Sequence, residues 1–454
     1  MDVARLNFSH GTPGSRAAAA SAVRASGAAA GLPVAILADL AGPKVRLGEL
    51  AGGAVTLQAG RSFALTALPR GRPGGVGGAA VGYRRLAADV RPGDRILLAD
   101  GAAELRVTAV RDDSVETEVV RGGTIRSRSG VSIPSERLTT SGLTAKDRAD
   151  VPRAVALAAD LVAQSFVRRA DDVAMLRELL GRDGPSIVAK IETRAAVDDF
   201  DNILAVADAV MIARGDLGVE LPYEEVPIIQ KQLVRRALDR GVPSIVATQM
   251  LESMLTSPRP TRAEASDVAN AVFDGTDAIM LSGETAIGAY PVLAAEAAAR
   301  ICRLCEERGS DHLPRGAPPS SDTDARALAY AAVALANAEN AVAGIACYTR
   351  TGSTARILSS LRPRVPIFAF SPDAAVVSRL AVVHGVIGRT CVASTGTADR
   401  LGLMARLLSE SKAMPAGAAV VLVASTAAAG SGPNMLEVHR IPRADGAATL
   451  RRSS

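Results

Sequence analysis

Residues 207–247 read ADAVMIARGDLGVELPYEEVPIIQKQLVRRALDRGVPSIVA and contain a complete strand–helix–strand pattern. The apolar runs Ala207–Ala213 and Ser244–Ala247 have the length of buried strands, and the stretch Val226–Arg240 between them has the period of an amphipathic helix. Two strands joined in this way pair in parallel through a right-handed crossover. This stretch therefore predicts an α/β fold built on a parallel sheet.

The same alternation continues on both sides of this stretch, where Asp171–Leu180 predicts another helix. The further strand-like runs are Val3–Leu6, Val34–Leu37, Leu161–Ala163, Ser186–Ile191 and Ala278–Leu281. Seven strand ends can be counted along the chain, whereas a closed (β/α)₈ TIM barrel needs eight. We therefore expect a TIM barrel that lacks one βα unit, which the resemblance described below implies to be the first.

Turn signals separate two further regions from this barrel. Between residues 48 and 134, turns such as Pro92-Gly93-Asp94 alternate with short strands such as Arg95–Leu98 and Glu104–Val110, which predicts an inserted all-β domain. Residues 307–323 are rich in Gly, Pro and Ser and predict a linker.

The pattern beyond the linker predicts a separate α/β domain, with helix Ala325–Asn337, strand Val342–Cys347, helix Thr354–Leu361 and strand Val365–Ala369. We assign residues 1–47 and 135–310 to the barrel, 48–134 to the β domain, and 320–454 to the C-terminal domain.

The composition argues against several classes of function. The apolar runs are too short to span a bilayer, and residues 1–30 lack the apolar segment of a signal peptide. A net charge of +5 with 3% aromatic residues and no basic block argues against nucleic-acid binding and suits anionic, phosphorylated ligands. Cys302 and Cys305 have only His312 near them in sequence, so we expect no metal or disulfide role and a reduced, cytoplasmic protein.

Polar residues follow each barrel run at its carboxyl end, which is the face where TIM barrels build active sites. In chain order they are Arg5-Asn7-Ser9, Asp39, Ser165, Lys190-Glu192, Arg214-Asp216, Thr248-Gln249 and Ser282-Glu284. One such residue is readily explained as a hydrogen-bonded strand end, but seven in phase predict a functional site.

Lys190, Glu192 and Asp216 suggest the chemistry of this site. Two carboxylates from adjacent strand ends suit Mg²⁺, which takes its remaining ligands from substrate and water. A lysine beside them suits a developing anion or a transferring phosphoryl group. A structural ion pair is the alternative for Lys190 and Glu192 alone. Gly215-Asp216-Leu217-Gly218 reads as a turn whose N–H groups can approach an anion.

Several stretches of the sequence resemble pyruvate kinase, and the similarity covers nearly the whole chain. They are VARLNFSHG (3–11), IVAKIET (187–193), ADAVMIARGDLGVELP (207–222), ATQMLESM (247–254), PRPTRAEASDVANAVFDGTDAIMLSGET (258–285) and SGETAIGAYP (282–291). The resemblance implies phosphoryl transfer from phosphoenolpyruvate to ADP, giving pyruvate and ATP, in a cytoplasmic, allosteric homotetramer. It also implies that the β domain closes over the site as a lid.

The resemblance also implies a role for individual residues. The catalytic residues are Lys190, Thr248, Ser282 and Arg5. Phosphoenolpyruvate is bound by Ala213, Gly215, Asp216, Thr248 and Arg5, and the nucleotide by Arg46, Asn7 and Asp100. Glu192 and Asp216 hold Mg²⁺ or Mn²⁺. His10 and Lys146 receive no role.

Two further sites follow from the resemblance. The monovalent-cation positions are Asn7, Ser9, Asp39 and Leu40. Here Lys44 stands where K⁺-requiring members have glutamate, so we expect its ammonium to replace K⁺ and K⁺ not to be required. The effector phosphate segment is Thr349-Arg350-Thr351-Gly352-Ser353-Thr354. Because Ser425–Asn434 contains no Trp or Arg for a second phosphate, we expect a monophosphate effector or none.

The sequence departs from the family at two places. Ser129 stands where the lid usually has a lysine, which weakens the expectation that the lid contacts the nucleotide. The family has a strand and helix ahead of VARLNFSHG, and Met1 replaces them here, so we expect a start codon assigned too late and a poorly soluble or weakly active chain. Two alternatives stay open: an impaired, truncated remnant that only binds ligands, and a barrel lyase acting on pyruvate or phosphoenolpyruvate.

Overall fold

The computed structural model describes residues 1–67, 73–309, 311–314, 324–338, 342–394, 396–411, 413–424 and 434–442. Most of the predicted linker and residues 425–433 of the expected second-phosphate loop therefore lie outside the described residues.

The first barrel segment comprises β1 (Val3–Asn7), α1 (Pro13–Ala30) and β2 (Ala35–Asp39). Thr12 caps α1, because its hydroxyl accepts the N–H of Ser15 while the Ser15 hydroxyl accepts the N–H of Thr12. Gly31 ends the helix at a φ of 66°, a left-handed conformation that favours glycine. The two strands pair in parallel, with Asn7 opposite Asp39, so both residues lie at the carboxyl edge.

The inserted segment is almost entirely β-structure. Its elements are β3 (Ala54–Leu57), β4 (Ser62–Ala67), β5 (Gly78–Val81), α2 (Leu86–Asp89), β6 (Arg95–Leu98), β7 (Ala103–Arg111), β8 (Ser114–Arg121), β9 (Gly123–Arg126) and β10 (Val131–Ser132). Six strands form a sheet in the order β10-β6-β7-β8-β4-β5, and β3 pairs with β9. The strands bury a hydrophobic core of their own, separate from that of the barrel.

The chain then returns to the barrel. Its elements are α3 (Ala145–Ala156), β11 (Leu161–Val167), α4 (Ala170–Leu180), β12 (Ser186–Ile191), α5 (Arg194–Asp198), α6 (Phe200–Val206), β13 (Ala209–Ala213), α7 (Arg214–Glu220), α8 (Val226–Arg240), β14 (Ser244–Ala247), α9 (Arg262–Asp274), β15 (Ala278–Met280), α10 (Gly283–Ala286) and α11 (Pro291–Arg308). The barrel sheet is parallel and seven-stranded, in the order β1-β2-β11-β12-β13-β14-β15. Within the described residues β1 and β15 are its two edges.

One local prediction was wrong. The residues read as the turn Gly215-Asp216-Leu217-Gly218 belong to the helix α7. Two glycines lower helix propensity, but Leu217 is fully buried, so tertiary packing decides the conformation.

The C-terminal region forms the α/β domain that the sequence predicts. Its elements are α12 (Asp324–Ala338), β16 (Val342–Tyr348), α13 (Ser353–Ser360), β17 (Ile367–Ser371), α14 (Ala374–Arg379), β18 (Val386–Thr390), α15 (Thr397–Glu410), β19 (Ala419–Ala424) and β20 (Met435–Arg440). The sheet order is β18-β17-β16-β19-β20, and only the β19–β20 pair is antiparallel.

The C-terminal domain packs against the amino ends of the barrel strands. Arg362, two residues after α13, has a side chain that is 5% exposed, and its guanidinium group lies 3.1 Å from the carboxylate of Asp277, which precedes β15. The same guanidinium donates to the carbonyl of Gly275. No helix among the described residues is long and apolar enough to cross a bilayer.

Candidate active site

The carboxyl ends of β1, β2, β11 and β12 bring together a cluster of charged side chains. The Lys190 ammonium is 2.7 Å from the Ser165 hydroxyl, 3.0 Å from Glu192 Oε1 and 3.2 Å from Asp39 Oδ1. Arg5 Nε donates to Asp39 Oδ2 at 2.7 Å. Because parallel strands end at one edge, residues far apart in sequence meet here, as the strand-end pattern predicted.

Lys190 is held in its charged form. Burial by itself disfavours the ammonium, but the carboxylates of Glu192 and Asp39 outweigh it and raise the pKa of Lys190 above its ordinary value. Ser165 accepts a hydrogen bond from this ammonium and donates its own proton to the carbonyl of Leu40 at 2.8 Å. The position of the ammonium is therefore set by three groups on three strands.

Glu192 is 1% exposed, and each of its oxygens meets a donor. Oε1 faces Lys190, and Oε2 accepts the backbone N–H of Phe166 at 2.7 Å. Burial raises the pKa of Glu192, and the neighbouring carboxylate of Asp216 adds to this, while Lys190 opposes it. Phe166 has a φ of 55°, an uncommon conformation for a bulky residue, which aims its N–H at Glu192.

Asp216, in α7, is more open to solvent, with 31% of its side chain exposed. Lys44 Nζ lies 3.0 Å from Asp216 Oδ1 and 3.7 Å from Asp100 of the inserted domain. Within the described residues these two carboxylates are the ion-pair partners of Lys44. A cavity of about 650 Å³ opens beside them, large enough for small-molecule ligands.

Thr248 follows β14 in a strained conformation. Its φ of 73° is uncommon for a β-branched residue, and the next residue, Gln249, also has a positive φ of 55°. Its hydroxyl accepts the N–H of Gly215 at 2.8 Å and donates to the carbonyl of Ala247 at 2.5 Å. Arg214, the first residue of α7, donates to the carbonyl of Thr248 at 2.8 Å, so the strained peptide is fixed by the neighbouring helix.

The remaining barrel residues predicted for the site lie at the same face. Ser282 follows β15, and its N–H is held by Glu284 Oε2 at 2.7 Å. Ala213 is the last residue of β13 and directly precedes α7. Asn7 Oδ1 accepts the N–H of Ser9 at 2.9 Å. The Asp39 carboxylate predicted for the monovalent-cation site is bonded to Arg5 and Lys190.

The inserted domain approaches the site through two segments. Arg46 is bridged to Gly130 and donates to the carbonyl of Arg128 at 3.2 Å. The hydroxyl of Ser129, at the position of the usual lid lysine, accepts the N–H of Arg126 at 3.1 Å. Asp100 reaches Lys44, as described above, and the ion pair of Arg137 with Asp94 at 2.6 Å is a further contact between the inserted domain and the barrel segment.

The predicted effector segment lies between β16 and α13. The buried Thr349 hydroxyl accepts the N–H of Gly352 at 2.9 Å, and Thr351 donates to the Ser353 hydroxyl at 3.2 Å. Gly352 has a φ of 84°, a conformation that glycine adopts without strain. Thr354 is buried in the first turn of α13, and Arg350 is exposed.

Sequence reasoning placed Ser165 and Arg214 at the correct edge but gave neither a role. Ser165 contacts both Lys190 and Asp39, and Arg214 fixes Thr248. Their place in the strand-end pattern was the available signal. The contact of Phe166 with Glu192 had none, because a backbone N–H leaves no mark on the residue type.

Comparison with known proteins agrees with this architecture. The family model for the pyruvate kinase barrel domain matches residues 1–295, and that for the pyruvate kinase alpha/beta domain matches residues 326–439. The pyruvate kinase of Mycobacterium tuberculosis is 40% identical over 98% of this chain and 94% of its own length. That of Agrobacterium vitis is 42% identical over 86% of this chain and 80% of its own length.

A solved structure gives the same result. The crystal structure of a pyruvate kinase from Cryptosporidium parvum superposes with a TM-score of 0.86 at 32% identity, covering 97% of this chain and 91% of that one. The barrel with its inserted domain and C-terminal α/β domain, together with these matches, places the chain in the class of phosphotransferase enzymes. Within that class, the chain belongs to the pyruvate kinase family.

Proposed function

We propose that this enzyme transfers the phosphoryl group of phosphoenolpyruvate to ADP, giving pyruvate and ATP, as a step of glycolysis. The observation that carries the proposal is the buried Lys190 ammonium, 3.0 Å from Glu192 and 3.2 Å from Asp39. A fixed positive charge in a site of low dielectric stabilises negative charge that develops during transfer.

The bonds change as follows. The bond between phosphorus and the enol oxygen breaks, and a bond forms between phosphorus and a β-phosphate oxygen of ADP. Lys190 and Arg5 face the phosphoryl oxygens and the enolate, which keeps the electron pair of the broken bond. The enolate then takes up a proton at its methylene carbon and becomes pyruvate.

The substrate carboxylate is bound by the amide groups at Ala213, Gly215 and Asp216 and by the Thr248 hydroxyl. Thr248 and Ser282 are the candidates for protonating the enolate. A hydroxyl is too weak an acid to act alone, so a water chain completes the relay. The strained backbone of Thr248 supports this role, because strain of this kind is concentrated at functional sites.

Glu192 and Asp216 fit a divalent cation, Mg²⁺ or Mn²⁺. Both are hard oxygen donors. Among the described residues no group of three or more acidic, histidine or cysteine side chains is placed to hold a metal ion, so two carboxylates are what the protein offers here. Mg²⁺ is commonly held by one or two carboxylates together with substrate phosphate oxygens. When bound, the cation supplies charge neutralisation at those oxygens. Lys44 must leave Asp216 Oδ1 for that oxygen to serve as a ligand.

The nucleotide is proposed to lie between the lid and the barrel. Arg46 supplies a cation for its phosphates, and Asn7 and Asp100 are further candidate contacts. Ser129 gives the lid a hydroxyl where a lysine is usual, so we expect the lid to hold the nucleotide less strongly.

The monovalent-cation site is proposed to work without K⁺. Asn7, Ser9, Asp39 and Leu40 mark its position, and Lys44 brings a permanent charge to this side of the site. A second cation in contact with Lys44 would be repelled by about 1–4 kcal/mol, depending on the effective dielectric. We expect equal activity in Na⁺, K⁺ and tetramethylammonium buffers, and K⁺ dependence in Lys44→Glu. A wild-type enzyme that is silent without K⁺ would contradict this role of Lys44 alone.

An assay of pyruvate release with and without ADP tests the main proposal. A pyruvate kinase releases pyruvate only with ADP and forms one ATP per pyruvate. A lyase forms or consumes pyruvate without ADP, and a remnant that only binds ligands forms none in either case. Either of the last two results would overturn the proposed reaction.

A phosphorylated effector and a cytoplasmic homotetramer complete the proposal. The hydroxyls and N–H groups of Thr349–Thr354 suit one phosphate. Exposed apolar side chains on the barrel, including Tyr223 at 83%, Ile287 at 84% and Val292 at 67%, support association with further copies. Light scattering at micromolar concentration measures the mass, and a monomer at every concentration would contradict the assembly.

A further inference from the structure

A short segment, residues 135–144, returns the chain from the inserted domain to the barrel and is called the stem here. It follows β10 with a 3₁₀ turn at Ser135–Arg137 and ends at Thr144, the residue that caps α3. The stem lies beside the active site, because its Leu138 lines a cavity of about 50 Å³ together with Glu192 and Asp216.

One side of the stem is attached to the inserted domain. Asp89 of α2 accepts the N–H of Thr139 at 3.0 Å and the hydroxyl of the same residue at 2.9 Å. Asp94 pairs with Arg137 at 2.6 Å. Both carboxylates are largely buried, which strengthens these contacts. A displacement of the inserted domain is therefore transmitted to the stem.

The other side of the stem is attached to the barrel. Arg168, directly after β11, donates to the carbonyl of Leu138 and, at 2.6 Å, to that of Thr140. Ser135 is 1% exposed, and its hydroxyl donates to Glu220 Oε2 at 2.5 Å. The contact of Ser135 depends on the side chain of the stem residue, so it can be removed by substitution while the contacts to the stem carbonyls remain.

Glu220 connects the stem to the segments that carry both proposed metal ligands. It is the last residue of α7 and lies one helical turn after Asp216. The oxygen that accepts the Ser135 hydroxyl also accepts the N–H of Arg194 at 3.0 Å. Arg194 begins α5, two residues after Glu192. One carboxylate oxygen therefore joins the stem, the helix of Asp216 and the segment that follows Glu192.

The helices alone do not explain an acidic residue at this place. A carboxylate at the carboxyl end of a helix lies at the negative end of the helix dipole, which disfavours it. The start of α5 is already capped, because the hydroxyl of Thr193 accepts the N–H of Ala196 at 3.1 Å. The contacts of Glu220 with Ser135 and Arg194 account for its position, and its charge strengthens both hydrogen bonds.

We propose that Glu220 is a positioning residue that couples the inserted domain to Glu192 and Asp216. Through the Ser135 hydrogen bond, the placement of the inserted domain sets the position of α7 and of the segment after β12. By the reciprocity of coupled equilibria, a divalent cation held by the two carboxylates in turn stabilises the stem. The inference rests on the proposed function, because it uses the metal and nucleotide positions proposed there.

The first experiment follows amide hydrogen exchange of the full chain by mass spectrometry, with Mn²⁺ alone as the probe. In the wild type, saturating Mn²⁺ should slow exchange in the stem by about threefold or more, because it fixes Asp216 and Glu192 and, through them, Glu220. Ser135→Ala should abolish this response. Its Kd for Mn²⁺, measured by titration, should stay within about threefold of wild type, since both carboxylates remain.

The second experiment compares the two substrates. The nucleotide is proposed to lie against the inserted domain and phosphoenolpyruvate on the barrel, so Ser135→Ala should raise the KM for ADP about tenfold and that for phosphoenolpyruvate less than threefold. Ser135→Thr keeps a hydroxyl and should recover most of the effect on ADP. Ser359→Ala is the matched control, because this serine is also 1% exposed and donates to the carbonyl of His384 at 2.7 Å. It should alter neither KM.

A double variant tests whether Ser135 acts through Glu220. Ser135→Ala/Glu220→Gln should have the same KM for ADP as Glu220→Gln alone, because both substitutions break one contact. Effects that add independently would overturn the inference, and so would equal increases in the KM of both substrates.

The exchange experiment separates failure of this inference from failure of the proposed function. Mn²⁺ that binds the wild type without slowing exchange in the stem overturns the inference alone. The same holds if the stem of Ser135→Ala responds as that of the wild type does. Mn²⁺ that does not bind the wild type overturns the proposed metal site and this inference with it. Exchange needs no turnover, so an absence of pyruvate formation is scored separately.

Discussion

At the amino ends of the barrel strands, Asp160, Asp208 and Asp277 each stand one residue before a strand. At the carboxyl ends, Asp39, Glu192 and Asp216 stand at or just after the end of one. The side chains of Asp208 and Asp216 are each 31% exposed, the other four are 9% exposed or less, and both groups have basic partners. They differ in the groups that donate hydrogen bonds to their oxygens. This difference separates carboxylates that stabilise the fold from carboxylates that can take part in a reaction.

The amino-end aspartates share a single pattern. Asp160 accepts the N–H of Ile36 at 2.7 Å and pairs with Arg24. Asp277 accepts the N–H of Ser244 at 2.9 Å and pairs with Arg362. Asp208 does the same with Ile187 and Arg177. Each aspartate joins the start of the neighbouring strand to an arginine, and a backbone donor cannot be exchanged for a ligand.

Asp39 and Asp216 instead face side chains, whereas Glu192 shares its oxygens between Lys190 and the backbone N–H of Phe166. Asp39 is bonded to Arg5, Lys190 and the Ser165 hydroxyl, and Asp216 is bonded to Lys44. Side-chain cations can turn toward an incoming phosphate, so these bonds can be exchanged during a reaction. Buried charge at the two barrel ends therefore has opposite consequences, rigidity at one and reactivity at the other.

The largest expected effect tests the amino end. Replacing Arg362 with Met leaves the Asp277 carboxylate buried without its charged partner, which costs about 3–5 kcal/mol of stability. We expect a lower melting temperature by circular dichroism, and a kcat within threefold of wild type at temperatures where the variant is folded. The double variant Arg362→Met/Asp277→Asn should recover part of the loss. An unchanged melting temperature with a tenfold lower kcat would show that the Arg362–Asp277 pair serves catalysis rather than stability.

The next effect is at the carboxyl end. Lys190→Met removes the charge that stabilises the transferring group, so pyruvate formation should fall by about 10²-fold or more. Mn²⁺ binding, followed by titration, should persist because Glu192 and Asp216 remain. Lys231→Met, at a half-exposed lysine, is the matched control and should retain activity. Activity of the Lys190 variant within threefold of wild type would remove the catalytic assignment.

Ser165 is predicted to be a positioning residue for Lys190. Ser165→Ala removes one hydrogen bond to the ammonium, and we expect kcat to fall about tenfold while the KM for phosphoenolpyruvate changes little. Ser244→Ala is the matched control, since this serine is buried at the amino end of β14. It should change the melting temperature slightly and leave kcat unaltered. Equal kcat losses in both variants would mean that Ser165 is merely structural.

The smallest effect concerns Glu264, in the first turn of α9, whose carboxylate accepts hydrogen bonds from Ser253 and Thr261. Burial alone raises the pKa of Glu264, but hydrogen bonds from Ser253 and Thr261 outweigh it and hold the pKa below its ordinary value of 4.5. A lowered folded-state pKa contributes stability above pH 4.5 that is lost as the pH falls through the folded value. After solvent screening we expect about 0.5 kcal/mol.

Melting temperatures of wild type and Glu264→Gln check this prediction. The wild type should melt at the higher temperature at pH 7, and the gap should close on acidification below pH 4.5. A gap that widens on acidification would show that the pKa of Glu264 is shifted the other way.

The sequence by itself determined the elements and the edge at which the site is built. Three predicted elements, Ser186–Ile191, Val226–Arg240 and Ser244–Ala247, have the observed bounds. Hydrophobic period is a local property, so it can be read from neighbouring residues. The polar residue at each strand end was equally visible, because parallel strands carry their ends to one face. The motifs then indicated the family that the comparisons show.

Only the tertiary structure decided which charges meet. Lys44 lies 172 residues before Asp216, and Arg362 lies 85 residues after Asp277, yet each pair is in contact. Tertiary packing also made α7 a helix where two glycines had indicated a turn. The physical reason is the same in each case. Side-chain contacts, and the hydrogen bonds that buried oxygens accept, depend on distances in space. These distances cannot be read from the order of residues and are set only when the chain folds.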